Sequence, residues 1–143
     1  HDYISGYMLA DSVFCWFRKS KNITFDISNN HRKYYNYGVN LIGSSHGDGA
    51  KMADMPLLMA NEAPELWAQT KYRYVYLHHI HHKQTTKFQS GKDYQGVTVE
   101  YLRSPSGSDA WHHRKGYIGA KKAIEAFIHS KDYGQIARLT HLF

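Results

Sequence analysis

A run of six residues at positions 72–77 constrains the fold of this chain more than any other sequence feature. The run is dense in residues that favour β-structure, and its apolar side chains stand at successive rather than alternate positions. A strand of this kind is covered on both faces. The run ends at His78. It predicts an α/β fold whose sheet is buried on both sides.

A second predicted strand leads into a glycine-rich loop. Residues 31–37 and 39–42 have the pattern of a hairpin around Gly38, and residues 43–49 follow with three glycines. In α/β proteins, ligands collect where strands end in such loops. The loop after residue 42 is therefore a candidate binding site.

The spacing of apolar residues assigns the other elements. They are a helix at 5–18, a short strand at 23–27, helical structure at 51–69 interrupted by Pro56 and Pro64, a strand at 97–102, a loop at 103–120 and a closing hairpin from 122–130 and 135–142. The last pair also suits a helix by propensity, but a good turn at 131–134 favours the hairpin. Without internal repeats or a visible boundary, we expect a single domain over residues 1–143.

The composition restricts the partners and the compartment. A formal charge of +6 suits a polyanionic partner such as nucleic acid, although solubility alone also explains it. A single cysteine, Cys15, excludes an internal disulfide framework, and its apolar neighbours predict burial. No apolar run reaches the ~20 residues that span a bilayer. We expect a protein of the cell interior.

Histidines cluster directly after the strand at 72–77. The chain has 11 of them, and four lie within residues 78–82. An H-x-H pair at a strand end can project two imidazoles toward one metal or toward two neighbouring metals. The alternative is a solvated basic patch. A zinc finger is not expected, since one cysteine cannot supply the thiolates.

His46-Gly47-Asp48 is the second histidine signal. Beside two glycines, the backbone at His46 can approach a ligand closely. Asp48 can orient the His46 ring, or it can cap the next helix.

The order of these histidines resembles that of the calcineurin-like metallophosphoesterase superfamily. The family pattern runs D-x-H, G-D, G-N-H-D or G-N-H-E, a lone histidine, and G-H-x-H. His1 and Asp2 match the end of the third motif. His46 lies where the lone histidine belongs, and His79 and His81 match the last motif.

The likeness extends across the whole chain. It is to phage- and prophage-encoded phosphoesterases of the DNA-repair-exonuclease type. The matching stretches are residues 7–9, 31–35, 41–43, 46–48, 55–57, 72–74, 79–83, 96–100, 109–112 and 133–134.

The resemblance implies a two-metal hydrolase in an α/β sandwich of mixed β-sheets flanked by helices. By the family's roles, His46 and His79 bind one metal and His81 binds the other. His1 stands near the leaving oxygen as a general acid or charge stabiliser, and Asp2 orients its ring. The ions stabilise both the attacking and the leaving oxygen.

The resemblance also implies cofactors, a substrate and a location. The expected cofactors are two manganese ions, with zinc or iron as alternatives. The expected substrate is a phosphodiester, with DNA favoured by the charge, in the cytoplasm of a bacterial or phage-infected cell. His112, His113 and Arg114 are candidates for phosphate contacts, although a plain surface loop suits them better. Residues 72–74 are compatible with base stacking, but strand core is the preferred interpretation.

Three departures from the family pattern define what this chain lacks. The D-x-H and G-D motifs are absent, as is the asparagine before His1, and His78 replaces the glycine before His79. We therefore expect the C-terminal half of a longer enzyme, whose carboxylate ligands lie in the missing N-terminal half. The alternatives are a catalytically incomplete module that binds nucleic acid, and a structural histidine metal site.

Overall fold

The structure, a computed structural model, describes residues 3–79, 91–106, 114 and 122–143. It forms two compact units, His1–Asn30 and His31–Phe143. Within the described ranges, no helix is both long enough and apolar enough to cross a bilayer.

The first unit is built on one helix, α1 (Tyr3–Phe17), which confirms the helix predicted at 5–18. The short strand predicted at 23–27 is wrong, because that segment has no regular structure. Phe25 instead packs against α1, with its ring 5.5 Å from that of Phe14 and 6.5 Å from that of Phe17. Cys15 is exposed, so its predicted burial is also wrong.

The second unit contains a mixed five-stranded sheet with the strand order β1-β2-β3-β5-β4. Its strands are β1 (Arg32–Tyr37), β2 (Asn40–Ser45), β3 (Tyr72–Leu77), β4 (Gly91–Tyr94) and β5 (Val97–Tyr101). The three middle strands β2, β3 and β5 run parallel, and the two outer strands pair antiparallel with them. The carboxyl ends of the middle strands therefore meet at one edge.

Helices cover one face of this sheet. They are a 3-10 turn (Met52–Asp54), α2 (Met55–Glu62) and α3 (Pro64–Gln69), which lie between β2 and β3 in the chain. Met55 and Met59 of α2 are at most 2% exposed and join Val75 and Leu77 of β3 in the core. Gly43 permits this close approach, since a Cβ there would lie 3.0 Å from the Met59 methyl carbon. Met55 and Met59, four residues apart, therefore lie on the buried side of α2.

A two-stranded hairpin, β6 (Ala123–Ser130) and β7 (Gly134–Leu142), covers the opposite face. Phe127 stacks on Tyr76 of β3 at 4.4 Å between ring centroids. The Tyr76 hydroxyl donates to Gln135 Oε1 over 2.9 Å, and the Gln135 backbone N–H donates to the Tyr74 hydroxyl over 2.8 Å. Both the closing hairpin and the burial of β3 on two faces are confirmed. The fold is mixed α/β, with a mixed sheet and a small two-stranded sheet.

Candidate metal centre

The candidate site lies at the carboxyl edge of two neighbouring parallel strands. His46 directly follows β2, and His78 and His79 directly follow β3. The last residues of the two strands, Ser45 and Leu77, are paired in register. Beyond the strands, the His78 backbone N–H donates to the His46 carbonyl oxygen over 3.1 Å. The parallel register therefore brings the two histidine segments together.

The rings of His46 and His79 lie within direct reach of each other. His46 Nε2 and His79 Nδ1 are 3.2 Å apart, and the rings meet edge to face at 5.0 Å between centroids. Two nitrogens that bind one ion at about 2.0–2.1 Å are separated by roughly 2.8–3.4 Å for ligand angles between octahedral and tetrahedral values. The same separation suits a hydrogen bond in which one ring donates to the other. The pair therefore has the spacing of two adjacent ligands on one ion.

A glycine and a tyrosine hold the loop that carries His46. Gly47 is buried with a φ of 91°, a conformation that side chains rarely adopt. A Cβ there would lie 3.0 Å from the Tyr101 ring and 3.1 Å from the Leu77 Cβ. The Tyr101 hydroxyl donates to the Gly47 carbonyl oxygen over 3.1 Å. Because β5 and β3 both contact this loop, the backbone on each side of His46 is fixed.

Two groups beside the site, Tyr101 and His78, have pKa values that favour their neutral forms. Burial raises the pKa of the Tyr101 hydroxyl, which therefore keeps its proton near neutral pH. Desolvation by the surrounding protein lowers the pKa of His78. A neutral imidazole retains the lone pair that a metal ligand requires.

The structure brings together two of the predicted metal ligands, His46 and His79. The other candidates fall outside the described residues: His1, Asp2, His81, His112 and His113. Arg114 is described and exposed. Asp48 does not cap the next helical segment, where the capping positions are Lys51 and Asp54. Among the side chains that the structure describes, no group of three or more His, Cys, Asp or Glu residues is arranged to hold a metal ion.

Residues 72–74 belong to the central strand β3 but are half-buried, so the preferred interpretation of strand core holds only in part. Tyr74 lies under the hairpin, and Arg73 points to the helical face. The Arg73 guanidinium donates to the carbonyl oxygens of Trp67 and Thr70 and lies 4.0 Å from the Trp67 ring centroid. It therefore satisfies carbonyls at the end of α3.

Tyr101 is the supporting residue that the sequence analysis missed. It ends the strand predicted at 97–102, where alternation alone gives no indication of a bond to Gly47. The only sequence signal is that Tyr101 lies near the end of a predicted strand, as the histidine run lies at the end of the strand at 72–77. Comparisons of the chain with protein-family models, with curated proteins and with solved structures find no match.

Proposed function

We propose that this chain is the C-terminal half of a calcineurin-like metallophosphoesterase that hydrolyses phosphodiester bonds, with DNA as substrate. The observation that carries the proposal is the 3.2 Å separation of His46 Nε2 and His79 Nδ1 at the ends of adjacent parallel strands. The motif order supports it, because these two histidines match two different motifs of the family. A charge of +6 favours a polyanionic substrate.

In this proposal, His46 and His79 hold one ion and His81 holds the other, with manganese preferred and zinc or iron as alternatives. Such ions, when bound, polarise the phosphoester and activate water for attack on phosphorus. His1 donates a proton to the leaving oxygen, and Asp2 orients the His1 ring. His112, His113 and Arg114 are the candidates for contacts with substrate phosphates, with a plain surface loop as the preferred alternative. The carboxylate ligands come from a segment that precedes residue 1 in the full protein.

The proposal is tested by hydrolysis of bis(p-nitrophenyl) phosphate by the full-length protein with Mn²⁺. His46→Ala and His79→Ala each remove one ligand, so we expect each to lower the rate by roughly two orders of magnitude. His141→Ala is the matched control, because His141 is an exposed histidine on β7. Its rate is expected to equal that of the native protein.

Metal binding by residues 1–143 alone gives a second readout. In this chain, His46 and His79 supply two imidazoles to one ion without the carboxylate ligands. We therefore expect weak Mn²⁺ binding and little turnover. Tight binding of two ions by this chain alone would contradict the proposed division of ligands. A full-length protein without Mn²⁺-dependent hydrolysis would favour the alternative of a non-catalytic module that binds nucleic acid or a structural metal.

A further inference from the structure

The edge strand β1 presents two exposed tyrosines on one face of the sheet. Tyr34 points to the helical face, where its hydroxyl donates to Glu62 Oε2 over 2.8 Å. Side chains alternate along a strand, so Tyr35 and Tyr37 lie on the opposite face. They are 54% and 51% exposed. The hairpin that buries β3 on this face leaves both rings accessible.

The turn between β6 and β7 lies beside the end of β1 and carries a further exposed aromatic ring and a cation. Asn40 Nδ2 donates both to the Tyr37 carbonyl oxygen, over 2.8 Å, and to the Ser130 carbonyl oxygen, over 2.7 Å. The Val39 N–H donates to the Lys131 carbonyl oxygen over 2.9 Å. These bonds fix the turn beside the end of β1. Tyr133, in the same turn, is 77% exposed.

Gly38 makes this junction possible. Its φ is 56°, and a Cβ there would collide with the Lys131 carbonyl oxygen. The backbones of the two turns are therefore in close contact. The backbone that carries the aromatic rings is held by this contact and by the hydrogen bonds. A rigid support lowers the entropy lost when a ligand binds.

Two exposed lysines lie at the junction of the two turns. Lys131 and Lys71 are both exposed, and the Lys71 N–H donates to the Val39 carbonyl oxygen over 2.8 Å. The acidic residue within the turn is Asp132. Two lysines against one aspartate suit a partner that carries regularly spaced negative charge.

We propose that Tyr35, Tyr37 and Tyr133, with Lys131 and Lys71, form a binding surface for single-stranded nucleic acid. Every base has a π-face, so bases stack on exposed tyrosines with little sequence preference, while lysines contact the backbone phosphates. Aromatic rings on an open sheet face bind bases in the same way in RNA-recognition domains. This surface lies at the end of β1 and the start of β2, away from the carboxyl ends that carry His46 and His79. The inference therefore stands independently of the proposed hydrolysis.

The test is fluorescence anisotropy of a fluorescein-labelled oligothymidylate in EDTA, which silences any metal site. Stacking contributes enough that each lost tyrosine should weaken binding by at least about fivefold. We therefore expect the double variant Tyr35→Ala and Tyr37→Ala to bind roughly 25-fold more weakly. Tyr35→Phe with Tyr37→Phe keeps both rings and is expected to bind within about twofold of the native chain, because the rings supply the stacking.

Matched controls separate this surface from general effects. Tyr7→Ala removes a tyrosine of similar exposure (49%) from α1 and should leave binding unchanged. Lys131→Ala should lower the dependence of log K on log salt by about 0.7, whereas Lys51→Ala should not. His46→Ala should also bind normally, which keeps this test separate from that of the metal centre.

Three results would overturn the proposal. One is native affinity in the double alanine variant with its circular dichroism intact. Another is a double phenylalanine variant that binds as weakly as the alanine variant. The third is equal affinity for heparin, a polyanion without bases, because charge alone would then account for the binding.

Discussion

The Tyr101 hydroxyl donates a hydrogen bond to the Gly47 carbonyl oxygen over 3.1 Å and so ties the end of β5 to the loop that carries His46. On the other side of the same loop, the His46 carbonyl oxygen accepts a hydrogen bond from the His78 N–H, which follows β3. The position of the His46 ring thus depends on contacts from two neighbouring strands. In the proposed metal centre, Tyr101 acts through this loop as a positioning residue for His46.

We expect Tyr101→Phe in the full-length protein to weaken Mn²⁺ binding by about tenfold. Loss of a residue that orients a metal ligand without binding the ion has an effect of this size. The ring still packs against Gly47, so the free energy of unfolding should fall by only about 1 kcal/mol. Mn²⁺ titration and urea denaturation measure the two effects. Tyr7→Phe, which removes a hydroxyl from α1, should change neither. Unchanged Mn²⁺ affinity in Tyr101→Phe would show that the bond does not position His46.

We expect Gly47→Ala to destabilise the protein by at least about 1–2 kcal/mol, because the alanine must adopt a positive φ and fit against Tyr101 and Leu77. Gly49→Ala is the matched control in the same loop. A Cβ on Gly49 meets no atom within 4 Å, and Gly49 has no positive φ. Urea denaturation of the two variants should therefore give different midpoints. Equal midpoints would contradict the close packing at Gly47.

The local elements of this fold were predictable where the sequence pattern matches the burial. β3 carries apolar groups at successive positions and is covered on both faces, and the methionines of α2 lie in the core. The turn at 131–134 correctly indicated the closing hairpin. In each case, local side-chain spacing and tertiary packing favour the same structure.

The errors occur where local pattern and tertiary contact diverge. Residues 23–27 alternate like a strand, but alternation supplies no hydrogen-bonding partner, and Phe25 packs on α1 instead. β4 was missed because its sequence, Gly-Lys-Asp-Tyr, is mostly polar; among the described strands it pairs with β5 alone. The contact between His46 and His79 was expected from a resemblance. Its 3.2 Å geometry depends on parallel pairing between strands separated by two helices, which no local pattern contains.

The ion-pair cluster between the two sheets gives a third prediction. Arg138 bonds both to Glu100 and to Glu125, whose side chains are only 10% and 3% exposed. Arg138→Met leaves two buried carboxylates without this cation, so we expect a loss of about 3–5 kcal/mol in the free energy of unfolding. Arg114→Met, at an exposed arginine, should have little effect. Adding Glu100→Gln and Glu125→Gln to the Arg138 variant should restore much of the loss, and no recovery would argue against charge burial as its cause.

The pair of Arg32 and Glu62 gives a prediction of pH dependence. The Arg32 guanidinium donates to both Glu62 oxygens and lowers the pKa of Glu62 below its usual 4.5. As pH falls, the unfolded chain therefore takes up this proton before the folded protein does, and stability is lost progressively through and below pH 4.5. The loss should be below about 1 kcal/mol, because the pair is partly exposed.

Urea denaturation at pH 7 and at a pH below the pKa of Glu62 in the folded protein measures this pH-dependent contribution to the free energy of unfolding. Glu62→Gln removes the titrating group. As the pH is lowered, the free energy of unfolding of this variant should therefore fall less than that of the native protein. Glu65→Gln, an exposed glutamate in the first turn of α3, should retain the native decline. If both variants followed the native pH dependence, the bond to Arg32 would contribute no pH-dependent stability. A steeper decline in Glu62→Gln would reverse the sign of the predicted pKa shift.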